Sequence, residues 1–194
     1  VIVSATEIID NWEQHTGAIY KAKVNMPLGR QNMIYYNGDI TDLARWPNNE
    51  DHDAFTVEAV AVTGGSASDL TTAQSSGVDA TGGYVWYLGA HSGTSWTRSI
   101  TGNTGNRINF TEVDIEKWPF SSHNPSRWQN GNRGQCYFFG KLNLLDYAKE
   151  WYYEAASETV YFQIPDNATI AAAKIEYAAR EQCIFLTKNY IVVD

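Results

Sequence analysis

The stretch from Leu142 to Asn167, LNLLDYAKEWYYEAASETVYFQIPDN, restricts the fold more than any other part of the chain. Trp151-Tyr152-Tyr153 and Val160-Tyr161-Phe162-Gln163-Ile164 are runs of aromatic and β-branched residues, which suit a pleated, half-buried surface. Glu154 to Thr159 is a connector of hairpin length without proline, and Pro165-Asp166-Asn167 is a turn signal that stops the second strand. Two strands this rich in large side chains are not stable alone in water. They need a sheet beside them and a layer over them. The stretch therefore predicts an all-β protein.

The remaining sequence can supply that sheet and that layer. Ala18 to Val24 and Phe55 to Val62 alternate apolar and polar residues, the mark of half-buried strands. Gln31 to Tyr36 reads as a strand closed by the tight-turn dipeptide Asn37-Gly38. Tyr84–Leu88, Ser95–Ile100 and Arg107–Phe110 are short strands separated by Gly-rich turns, the spacing of a sandwich or jelly roll. Gly64 to Gly83 is small and polar and reads as a loop or a weak helix around Ala67 to Gln74; Thr6 to Trp12 is the other weak helix candidate. Asp114 to Gln135 is a long irregular loop broken by two prolines and two glycines. From Lys174 onward the chain reads as successive short rungs.

The chain's 194 residues suit one domain, or one domain plus an appendage, and 43% hydrophobic residues suffice for a core. No apolar run approaches the roughly 20 residues of a membrane span, so no membrane partner is expected. The net charge of −8, with 22 acidic against 14 basic residues and no Lys/Arg stripe, argues against nucleic acid. An anionic polysaccharide would need a local basic patch against this background. The chain starts at Val1 without a basic-then-apolar leader, as expected of a mature or excised piece. Cys136 and Cys183 lack zinc spacing; they can pair, but each lies in an apolar run and the preferred reading is two buried thiols.

Seven Trp and 12 Tyr are a heavy aromatic load. Most of these rings are expected in a core, and a few left exposed would offer flat apolar faces with a donor attached. The long loop holds the best candidates. Lys117-Trp118-Pro119 and Arg127-Trp128-Gln129-Asn130 each set an indole beside cationic or hydrogen-bonding groups, as a saccharide platform requires, and His123 and Arg133 add polar reach. The candidate ligand-binding set is Trp118, His123, Arg127, Trp128, Asn130 and Arg133. The competing reading, that both indoles fold the loop onto the sheet, carries equal weight. In Arg45-Trp46-Pro47-Asn48 the structural reading is preferred: Trp46 in the core and Arg45 paired with a carboxylate.

Catalytic chemistry is not apparent. Asp39, Asp42, Glu112, Asp114, Glu116 and Glu150 are candidate carboxylates for glycoside hydrolysis, but nothing in their spacing pairs any two. The four His show no metal spacing. Glu50-Asp51-His52-Asp53 offers oxygen ligands to a hard cation but lacks the rest of a calcium loop. No cofactor is expected, a structural calcium ion being the one open alternative.

Three groups of phrases together resemble a known family. They are Tyr36-Asn37-Gly38 with Ala44-Arg45-Trp46-Pro47-Asn48; Trp151-Tyr152-Tyr153 with Thr159-Val160-Tyr161-Phe162 and Pro165; and Ile175-Glu176-Tyr177 with Asn189-Tyr190-Ile191-Val192-Val193. They resemble the β-sandwich region interdigitated into secreted right-handed parallel β-helix proteins, among them glycoside hydrolases and polysaccharide lyases. Tyr147-Ala148-Lys149 departs from that pattern, which has a Pro-Gly turn before the Trp. The resemblance implies a jelly-roll-like β-sandwich module over residues 1–183. Residues 184–194, with Val1–Ser4, would be stubs of a parallel β-helix. It further implies an extracellular, secreted module that binds polysaccharide without catalysis, beside a parent β-helix enzyme domain. The alternative is a domain that walls the active site or caps the solenoid.

Overall fold

Alternating side chains become strands wherever a partner edge is in reach, and in this chain nearly every such run finds one. A computed structural model describes residues 4–53, 56–91 and 93–184. The β-helix stubs expected at Val1–Ser4 and over 184–194 lie outside the described residues apart from Ser4 and Ile184, as does the start of the run at Phe55.

In chain order the strands are β1 (Thr6–Ile8), β2 (Glu13–Thr16), β3 (Ile19–Lys23), β4 (Ile34–Tyr36), β5 (Asp39–Ile40), β6 (Asp42–Leu43), β7 (Arg45–Trp46), β8 (Val60–Gly65), β9 (Asp69–Thr72), β10 (Tyr84–Leu88), β11 (Ser95–Thr104), β12 (Arg107–Phe110), β13 (Gln135–Phe139), β14 (Glu150–Glu154), β15 (Thr159–Gln163) and β16 (Ile175–Ala178). The described helical segments are short 3-10 turns, so the fold is all-β. The chain forms two compact units, residues 1–41 with 153–194, and residues 42–152.

The first unit is a small sandwich. One sheet has the order β1-β16-β4-β5, antiparallel throughout. The other contains β2, β3 and β15, also antiparallel. Ile34, Tyr36 and Ile175 of the first sheet and Ala22, Val160 and Phe162 of the second are buried. The Tyr36 ring stacks on Phe162 at 5.8 Å between centroids, and Trp12 leans on the same ring at 6.4 Å. Burying an aromatic face on each side is what holds two such sheets together. Asn37 and Gly38 take φ of 53° and 96°, the left-handed pair a two-residue hairpin turn between β4 and β5 requires. Residues 6–8, a weak helix candidate, form a strand because Thr6, Glu7 and Ile8 pair with Ala178, Tyr177 and Glu176.

The second unit is one sheet that closes on itself. β10 bonds to β11 along one edge and to β13 along the other. The ladder β11-β12-β9-β8-β13 then returns to β10. Closure removes the free edges that would otherwise invite association. β11 serves both halves: Ser95–Ser99 pair with β10, and Ile100–Thr104 with β12, the register shifting between Ile100 and Gly102. A bulge at such a place bends a strand round a corner. The enclosed core contains Val60, Val62, Leu70, Val85, Tyr87, Trp96, Ile100, Ile108, Phe110, Cys136 and Phe138. β7 extends the β13 edge beyond β8, pairing Trp46 with Phe138 and Arg45 with Phe139.

Several local expectations are corrected. The loop or helix expected around 67–74 contains β9, because Leu70 is fully buried and the strand bridges β8 and β12. Cys136 is a buried free thiol as expected, whereas Cys183 is free but exposed; residues 181–184 supply no strand to bury it. Among the described residues Arg45 forms no ion pair with a carboxylate. Its Nε donates to the Pro47 carbonyl, Nη2 donates to the Glu58 carbonyl, and the guanidinium lies 3.9 Å from the Tyr137 ring centre. Backbone carbonyls are the acceptors the turn leaves orphaned, and one planar fork satisfies two of them. Trp46 is half-buried and stacked on Phe138 at 5.6 Å. Lys149 takes φ of 63°, so it supplies the left-handed residue that a Pro-Gly turn would place before β14.

Candidate functional site

The loop between β12 and β13 is held to the second unit by two core aromatics. The Trp96 indole N–H donates to the His123 carbonyl at 2.6 Å, and the Tyr87 hydroxyl donates to the Arg133 carbonyl at 2.6 Å. Both rings belong to the strand core and touch each other at 4.7 Å. Burial of the Tyr87 hydroxyl pushes its pKa up, so it stays a donor throughout the physiological range. Phe120 adds an apolar anchor 6.0 Å from Trp96. The middle of the loop is satisfied from within: Asn124 is buried, its amide donates to the Phe120 carbonyl, and its oxygen accepts from Ser126.

This anchoring turns the two indoles outward. Trp118 is 75% exposed and Trp128 is 63% exposed, more than any other large apolar residue described. Core packing therefore explains neither ring. Trp128 lies at the base of a two-residue hairpin in which Gln129 and Asn132 exchange backbone hydrogen bonds at 3.0 Å. Asn130 and Gly131 form its tip at φ of 50° and 78°. The exposed Asn130 is thus a turn residue whose amide faces solvent.

The two arginines brace the loop without leaving the surface. Arg127 Nε donates to the Ser121 carbonyl at 2.9 Å, linking the Trp128 arm to the turn that follows Trp118. Arg133 Nη1 donates to the carbonyls of Ser126, at 2.7 Å, and Pro125, at 3.3 Å. Its guanidinium carbon lies 5.7 Å from the Trp128 ring centre, within cation–π range. Lys117 forms an ion pair with Asp114 at 3.0 Å.

His123 belongs to the interior. It is 5% exposed, and its ring packs on Gly89 and lies 5.5 Å from His91. Desolvation, with His91 in support, lowers its pKa, so the ring is neutral at physiological pH. A sugar cannot reach it in this conformation. Trp118, Arg127, Trp128 and Asn130 are thus exposed on this loop, Arg133 is half-buried against the Trp128 ring, and His123 is buried as an anchor. Beside the loop is an open, shallow cleft lined by Ala59, Ala61, Leu88, Gly89, Asn132, Gly134 and Gln135. Exposed rings and donors beside an open cleft suit an extended ligand laid across the surface.

Arg98 is a contributor that sequence reading passed over. Its guanidinium carbon sits 4.8 Å from the Phe120 ring centre and 5.9 Å from Trp96. Alternation along β11 puts Trp96 and Arg98 on one face, which was the available signal.

The acidic candidates take a different form. Asp42 on β6 and Glu150 on β14 are register partners in a parallel ladder, a pairing invisible in sequence. Glu150 is 1% exposed, and neither carboxyl oxygen has a partner in hydrogen-bonding geometry. Desolvation pushes its pKa up to about 9; Asp146 and Asp42 add to the rise, and the backbone amides of Asp146 and Tyr147 offset it only in part. Asp42 accepts from the Asn49 amide at 3.3 Å and contacts His52 Nδ1 at 3.2 Å. A sealed carboxyl cannot flank a glycosidic bond in this conformation. In the Glu50–Asp53 stretch, the Asp51 carboxylate caps the Asp53 N–H and the Thr56 hydroxyl. Among the described residues no three His, Cys, Asp or Glu side chains converge as metal ligands, and no helix is long and apolar enough to cross a membrane.

Comparison with solved structures finds a likeness of fold. A protein described as a glycoside hydrolase superposes with a TM-score of 0.60 at 16% identity, over 89% of this chain and 31% of the other. At that identity the likeness is one of fold. The chain spans about a third of the neighbour's length. No family model and no curated protein matches the sequence.

Proposed function

We propose that this chain is a non-catalytic polysaccharide-binding module of a larger, secreted carbohydrate-active enzyme, and that it works without a cofactor. Trp118 and Trp128 stack on the apolar C–H faces of sugar rings, while Arg127, Asn130 and Arg133 supply hydrogen bonds at the rim. The observation that carries this reading is the exposure of both indoles, at 75% and 63%, on a loop whose backbone is pinned by buried donors. Leaving two such rings in water forgoes burial worth about 2 kcal/mol each, which a folding role does not explain. The glycoside hydrolase neighbour supports a carbohydrate setting.

Stacking with hydrogen bonds to neutral hydroxyls gives affinities from about millimolar to micromolar, roughly −4 to −8 kcal/mol. The test is affinity electrophoresis of the chain against a panel of plant, algal and microbial polysaccharides, with Trp118→Ala and Trp128→Ala beside it. Retardation lost at least tenfold in either variant, with melting temperature unchanged, supports the platform. Unchanged retardation in both removes it.

A second reading rests on the 31% coverage of the neighbour. In it, the module walls the active site or caps the solenoid of a parallel β-helix enzyme and binds no glycan alone. It is the interdigitated sandwich that the sequence phrases resemble. The panel separates the two: the second reading expects no retardation by any polymer.

A further inference from the structure

The acidic excess of this chain stops abruptly at the loop. From Lys117 to Leu145 there is no Asp or Glu, while Lys117, Arg127, Arg133 and Lys141 are all basic. Five described cations pair with carboxylates, Lys21 with Glu13, Arg107 with Asp69, Lys117 with Asp114, Lys174 with Glu176 and Arg180 with Glu7, while Lys23 and Arg45 are held by backbone carbonyls. Arg127 and Arg133 are in none of these pairs. Each is held by backbone carbonyls through part of its guanidinium, Nε of Arg127 and Nη1 of Arg133. No hydrogen bond among the described residues uses the remaining N–H groups of either. Arg98 likewise lacks a carboxylate and lies over Phe120. The acids that border the segment in sequence are Glu116 and Asp146, both exposed, and Asp114 beyond Glu116 is already engaged by Lys117.

An arginine fixed by carbonyls keeps its charge and has its free donors aimed in advance. A planar fork of this kind matches a carboxylate or sulfate with two parallel hydrogen bonds. Beside an exposed indole it recognises a sugar ring by its face and an acidic substituent by its edge. In a chain with net charge −8, the field of the distant acids is screened within about 10 Å at 0.1 M salt, while direct contacts persist.

We infer that the loop selects an anionic polysaccharide, whose carboxylate or sulfate groups are taken by Arg127 and Arg133 beside Trp128 and Trp118. This rests on the polysaccharide-binding reading above and specifies its ligand. The preference belongs to the loop, because the rest of the surface repels polyanions.

The experiment is affinity electrophoresis of the whole chain in 0.1 M salt against matched polymers: polygalacturonate with its carboxyl-reduced form, and dextran sulfate with dextran. The expected result is at least tenfold stronger retardation by one or both anionic polymers than by the neutral partner. The polyuronate pair reports carboxylate recognition and the dextran pair sulfate recognition, and either supports the inference. Arg127→Gln with Arg133→Gln abolishes the difference; Trp118→Ala and Trp128→Ala weaken retardation by every polymer that binds. If Arg133→Gln does not fold, Arg127→Gln alone carries the test with a partial loss. Equal retardation by anionic and neutral polymers overturns the charge selection and leaves the polysaccharide reading standing. No retardation by any polymer overturns both. Single-stranded oligo-dT bound as tightly as the acidic polymers also overturns the inference, since it marks a general polyanion patch.

Discussion

Replacing Glu150 by Gln should change how stability depends on pH. Glu150 is sealed on β14 beside Asp42, with its pKa pushed from about 4.5 to about 9 by desolvation. In the folded chain it is protonated at neutral pH; in the unfolded chain it is ionised. The folded state thus binds a proton that the unfolded state releases, so stability is greatest below pH 4.5 and falls as pH rises toward 9. Each pH unit in that window costs about 1.4 kcal/mol, so at pH 7 the wild type has lost roughly 3 kcal/mol through this group. Gln keeps the shape and cannot ionise, but it buries an amide whose unpartnered donors cost about 1–3 kcal/mol. The two effects nearly cancel at neutral pH, so the slope is the better readout. Urea unfolding at pH 5.5, 7 and 8.5 should show the variant gaining on the wild type by about 4 kcal/mol across the series. Curves that stay parallel would mean that Glu150 is ionised or solvated in the folded chain, and the reasoning would fail.

Three further outcomes follow from the same geometry. Gly89→Ala places a Cβ 2.8 Å from His123 Nδ1 and 3.0 Å from its Cα, so it should cost about 1–3 kcal/mol and loosen the loop; thermal melts with proteolysis in the 114–135 region check this. Arg45→Lys keeps the charge but cannot reach both the Pro47 and Glu58 carbonyls while lying over Tyr137, so a loss of about 1–3 kcal/mol is expected by chemical denaturation. Trp118→Ala and Trp128→Ala remove exposed rings and should each shift folding stability by less than about 0.5 kcal/mol while reducing polysaccharide retardation, so a large loss of stability would return the indoles to a folding role.

Much of this protein was written locally. Aromatic and β-branched runs such as Trp151–Tyr153 and Val160–Ile164 became β14 and β15, because strand preference and the need for burial agreed there. Asn37-Gly38 formed the expected turn, since few other dipeptides accept two left-handed residues. The irregularity of 114–135 was legible from its prolines and glycines, and with it the candidate status of Trp118 and Trp128. Local pattern failed where pairing across the chain decided the outcome. Residues 69–72 carry a single large apolar residue in a small, polar stretch, yet β8 and β12 recruit them as the rung between. Only the closed sheet could place Trp96 and Tyr87 under the loop, and so bury His123 while leaving both indoles in water. The pairing of Glu150 with Asp42 joins residues more than a hundred positions apart, and no spacing rule reaches that far. Composition and periodicity determine which segments become strands, because those preferences act over a few neighbouring residues. Which faces are sealed and which meet solvent was settled by long-range strand pairing, because burial depends on the whole sheet.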